Sequence, residues 1–95
     1  MPNVKTIDDG LVEAVQSGDQ AALGHIIERY TAYVGTIIWN IVRDKLSRAD
    51  AEEIISDVFC ALWYNAGRVR EGKLKSYLSA IARRRALNAL RSAKQ

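Results

Sequence analysis

Ninety-five residues make one domain, with room for a single small core and not for a core plus a second lobe. Apolar residues make up 48% of the chain, and the one proline, Pro2, precedes every periodic segment, which favours an all-helical fold. One cysteine and one histidine supply neither an internal disulfide nor a metal-ligand set.

The net charge of +3 hides a division. Residues 1–65 carry five Lys/Arg against ten Asp/Glu, a balance of −5, and residues 66–95 carry nine against one, a balance of +8. Such a split reads either as two surfaces for two different partners or as solvated faces of opposite sign. No signal peptide is visible in MPNVKTIDDG, and no apolar run reaches the length of a membrane span. The expectation is a cytoplasmic protein without a membrane partner, and Cys60, inside an apolar run, is expected as a buried thiol.

In chain order, residues 1–9 read as a flexible lead-in. Asp8 or Asp9 caps a short helix from about Gly10 to Gln16, with Leu11, Val12 and Val15 inward. Ser17-Gly18 ends it, and Asp19 caps a long helix that runs to Val42. Along that helix Leu23, Ile26, Ile27, Tyr30, Tyr33, Val34, Ile37, Ile38 and Ile41 form one stripe about 140° wide. Trp39 lies off the stripe, either covered by a neighbouring element or available to a partner. His25 also lies off it and reads as a surface residue.

Ser47 or Asp50 caps a third helix, from about Ala49 to Ala66, with Ala51, Ile54, Ile55, Val58, Ala61 and Leu62 inward. Phe59 and Trp63 stand at the edge of that stripe. Glu53, Ser56 and Asp57 are spaced i, i+3, i+4 and share an outer face, which serves either solubility or docking of a basic helix. The glycine-flanked segment from Gly67 to Lys73 is either an ordinary helix connection or a loop that meets a phosphate backbone.

The fourth helix runs from about Leu74 to Ser92, with Leu74, Tyr77, Leu78, Ile81 and Ala82 inward. Its Arg83-Arg84-Arg85 run and Tyr77 suit nucleic acid, since cations neutralise phosphate and a ring stacks on a base. Arg85 projects near the apolar stripe, so either the stripe turns there or the side chain lays its stem across apolar surface. No carboxylate pair in an apolar setting, phosphate loop or nucleophile–base pair is present. The leading class is therefore a binding module without a cofactor, not an enzyme.

Three stretches then resemble one family. The run ADAEEIISDVFCALW (49–63) is similar to region 2.2 of bacterial sigma factors of the extracytoplasmic-function group. LKSYLSAIARRRALNALR (74–91) resembles their regions 2.3 and 2.4, and VQSGDQAAL (15–23) their opening. The resemblance covers about residues 10–92 and implies an all-α, four-helix region 2 domain. It implies docking on the β′ clamp helices of RNA polymerase core through Asp50, Glu53, Ser56 and Asp57, with Ser56 standing where Gln is usual. It also implies capture of the minus-ten non-template strand of promoter DNA by Lys73, Lys75, Ser76, Tyr77, Arg83, Arg84, Asn88 and Arg91. Tyr77 stands for the usual Trp, Arg84 for Asn and Asn88 for Asp, so a promoter surface is implied more firmly than the bases it reads. An anti-sigma factor is a further implied partner.

The family's helix-turn-helix for the minus-thirty-five element has no counterpart here, so an isolated region 2 domain is expected, with 93–95 the start of a cut linker. The competing reading is a sigma-like helical protein-interaction module without sequence-specific promoter binding.

Overall fold

The computed structural model describes residues 6–93, so residues 1–5 of the expected lead-in and 94–95 of the expected linker end lie outside the described residues. Among the described residues the fold is all-α: α1 (Ile7–Gln16), α2 (Gln20–Val42), α3 (Arg48–Asn65) and α4 (Leu74–Ala93), with a single 3-10 turn, Ala66–Arg68, after α3.

The helix starts follow from their caps. The Thr6 hydroxyl accepts from the Asp9 N–H at 3.1 Å, and the Asp9 carboxylate accepts from the Thr6 N–H in return. Helix α1 therefore begins at Ile7, three residues before the expected Gly10, and neither Asp8 nor Asp9 is its cap. Asp19 caps α2 by accepting from the Ala22 N–H at 3.2 Å. Ser47 caps α3, with Asp50 completing a second reciprocal pair. Both caps match the sequence expectation.

Helix α2 is the central element and packs against α1, α3 and α4. Of its nine-residue stripe, Ile26, Val34 and Ile38 are fully buried; the other six are half-buried against the core. Val58 and Leu62 of α3 and Leu74 and Leu78 of α4 fill the space they leave. Truncating one of these, as in Leu78→Ala, costs about 2–5 kcal/mol. Gly35 lets α2 and α3 approach closely, since a Cβ there would lie 3.2 Å from the Ile55 Cδ1. The inward faces expected for α3 and α4 are inward, and Phe59 joins them at 4% exposure.

Cys60 departs from expectation, and Arg85 takes one of its two expected arrangements. Cys60 is exposed, because its position on α3 falls on the acidic outer face, between Ser56 and Glu53 and away from the inward residues. At Arg85 the apolar stripe turns, continuing through Ala86, Ala89 and Leu90, and Arg85 stays half-buried beside it. Trp39 is covered: the Arg48 guanidinium carbon sits 4.5 Å from its ring centre. His25 is exposed, as expected of a surface histidine. Among the described residues no helix is long and apolar enough to cross a membrane.

Candidate polymerase and nucleic-acid interfaces

The outer face of α3 begins at its capping box. Asp50, Glu53, Ser56 and Asp57 are all exposed and fall within about 120° of arc, counting 100° per residue. Asp50, Glu53 and Asp57 border a cavity of about 400 Å³ whose far wall is Ala89, Ser92 and Ala93 of α4. Ser56, at the other edge of this arc, borders a groove of about 640 Å³ between α2 and α3 lined also by Leu23, Ile27, Phe59 and Trp63.

The same arc holds two residues the sequence reading did not assign to this face. Cys60 lies four residues beyond Ser56, and Tyr64, 82% exposed, lies four beyond Cys60. The signal was present in the spacing: 53, 56, 60 and 64 step by three and four, with 57 one further on from 56. The face is thus a carboxylate row that grades into a thiol and a phenol ring.

On α4 the fold sorts the expected strand-contacting residues. Tyr77, Arg84, Asn88 and Arg91 share a flank only about 60° wide, and Ser76 and Arg83 widen it to about 140°. All are exposed except Tyr77, whose ring is half-buried against the core and keeps one edge outward. Leu87, 47% exposed, also sits within this basic face, and the sequence reading did not assign it there. Lys73 immediately precedes α4, its carbonyl accepting from the Tyr77 N–H at 2.9 Å. Lys75 is not on this flank. It points to α2, with its ammonium 4.8 Å from the Tyr33 ring centre.

Chemically, the α4 face offers guanidinium forks for phosphate or base edges, an amide for a base edge and one aromatic edge. It offers no nucleophile paired with a base. A separate polar cluster lies at the α1–α2 contact. The Tyr30 hydroxyl donates to Asp8, and Arg29 pairs with Asp8 at 3.0 Å. Burial, and then the Asp8 carboxylate, push the Tyr30 phenol above its ordinary value of 10.0.

The connection between the two faces is anchored from α1. The Gln16 amide donates to the Ala66 carbonyl at 2.9 Å, and the Asp9 carboxylate accepts from the Gly72 N–H at 2.7 Å. Gly72 has φ +74°, a conformation that side chains rarely adopt and glycine adopts freely.

No curated protein and no solved structure matches the chain. The family model for sigma-70 region 2 matches residues 26–95, from the second residue of α2's core stripe to the end of the chain. That span holds both the carboxylate face of α3 and the basic face of α4. The chain therefore belongs to the sigma-70 region 2 family, transcription-initiation domains that bind RNA polymerase and act in promoter melting.

Proposed function

We propose that the chain is the region 2 domain of an extracytoplasmic-function sigma factor, a two-sided adaptor between polymerase and promoter. Asp50, Glu53, Ser56 and Asp57 meet the β′ clamp helices. Lys73, Ser76, Tyr77, Arg83, Arg84, Asn88 and Arg91 take the minus-ten non-template strand, with Lys75 contributing charge from the edge.

The observation that carries this reading is the segregation of charge on two separate helices. An exposed carboxylate row on α3 suits a basic coiled coil, and a narrow cationic flank on α4 suits a single strand. The strand is held by phosphate neutralisation from the arginines, with Tyr77 stacking at the edge of the opened duplex and Arg84 bonding a base edge or phosphate. Opening needs no covalent chemistry. It follows from holding unpaired bases more tightly than paired ones, which shifts the duplex toward its open form.

The test is a titration of the chain with single strands of minus-ten and scrambled sequence at several salt concentrations. A preference for particular bases that survives raised salt supports the reading. Equal affinity for every sequence with a steep salt slope contradicts it and leaves a sigma-like protein-interaction module.

A further inference from the structure

Asp9 is a buried carboxylate, 7% exposed, that neither proposed interface uses. It stands on α1, outside the span 26–95 shared with the family. One of its oxygens completes the α1 capping box; the other receives the Gly72 N–H, 63 residues further along the chain. Two helical turns further along α1, Gln16 holds the Ala66 carbonyl. Positions 9 and 16 are about 10 Å apart along a helix, and residues 66 and 72 are the two ends of the connection into α4. Between these anchors Val69 is buried, 8% exposed, and shares a small cavity with Val12 of α1. The connection is therefore laid along α1 and fastened at both ends and in the middle.

We propose that α1 is a splint for this connection and that Asp9 is a positioning residue for strand capture. Its carboxylate fixes the left-handed turn at Gly72. That turn sets the direction in which Lys73 leaves the loop and the first turn of α4, with Ser76 and Tyr77, begins. Residues already ordered in this way spend less conformational entropy when a flexible strand binds. The inference rests on the reading of α4 as the promoter surface.

The experiment compares the full chain with Asp9→Ala, Asp9→Asn and Thr6→Ala. It measures affinity for a minus-ten single strand, affinity for the isolated β′ clamp coiled coil, and hydrogen exchange at the Gly72 amide. Asp9→Ala is expected to speed Gly72 exchange and weaken strand binding about tenfold, the scale of one lost charge-assisted hydrogen bond that pre-orders a segment. Clamp affinity stays unchanged. Asp9→Asn keeps an oxygen acceptor and recovers strand binding to within about twofold of wild type. Thr6→Ala removes the α1 cap and keeps the Gly72 bond, so strand binding stays within about twofold of wild type. Equal loss of strand and clamp binding in Asp9→Ala would mean a purely structural role and overturn the inference. So would full strand affinity with a deprotected Gly72 amide. A wild-type chain that binds no minus-ten strand overturns the promoter reading itself, and the positioning role with it.

Discussion

The Lys75 ammonium stacks 4.8 Å from the centre of the Tyr33 ring, tying the first turn of α4 to the middle of α2. The contact turns Lys75 away from the flank that carries Tyr77, Arg84, Asn88 and Arg91. An exposed pair of this kind contributes about 0.5–1 kcal/mol. Lys75→Ala is expected to lower stability by about that amount in urea denaturation, and to lower it by much less in a Tyr33→Leu background. Arg84→Ala is expected to weaken strand binding more than Lys75→Ala does, with no measurable change in stability.

Cys60 supplies a probe of the α3 face. It is exposed and lies three residues from Asp57 and four from Ser56. A thiol-reactive maleimide is expected to label it readily in the native chain. Saturating β′ clamp helices are expected to slow labelling at least about tenfold, and a bulky label is expected to block docking, because the group would stand inside the contact. Undiminished labelling in the complex would move the contact off this part of α3.

Much of this architecture is legible in the sequence, because it is local. Asp19 and Ser47 are caps followed by apolar residues at helical period, and each starts its helix where a cap does. The carboxylate spacing at 53 and 57 needs only the helix geometry. The start of α1 was harder. Asp8 and Asp9 both look like caps, and only the reciprocal pairing of Thr6 with Asp9 selects the true one. Cys60 was misread because Val58, Phe59, Ala61 and Leu62 around it are all buried, and residue type outweighed its angular position. The Asp9–Gly72 bond joins residues 63 apart, and no periodicity announces it.

Arg85 carries a local conflict into the fold. Its Nε is buried and has no hydrogen-bond partner among the described residues. A buried donor without a partner costs stability, while an apolar side chain of similar length keeps the packing. Arg85→Met is therefore expected to be neutral or to stabilise by about 1 kcal/mol, read from the urea midpoint. A loss of 2 kcal/mol or more on the same scale would show that the guanidinium supports the fold.

Tyr30 is expected to make stability fall at alkaline pH. Its folded value is raised above the ordinary 10.0, first by burial and then by Asp8. A group raised on folding contributes stability that is fully present below its unfolded value and lost as pH climbs through the folded one. Melting temperature is expected to decline once pH passes about 10, and Tyr30→Phe is expected to flatten that decline. An identical alkaline slope in both proteins would remove Tyr30 from the account.

The central claim is that the carboxylate face of α3 is the polymerase-docking surface, and its most direct test is a calorimetric titration of the chain with the isolated β′ clamp coiled coil. Wild type is expected to bind. Glu53→Arg combined with Asp57→Arg is expected to weaken binding about a hundredfold or more, with helicity and minus-ten strand affinity retained. Affinity within about twofold of wild type in that double variant would contradict the assignment.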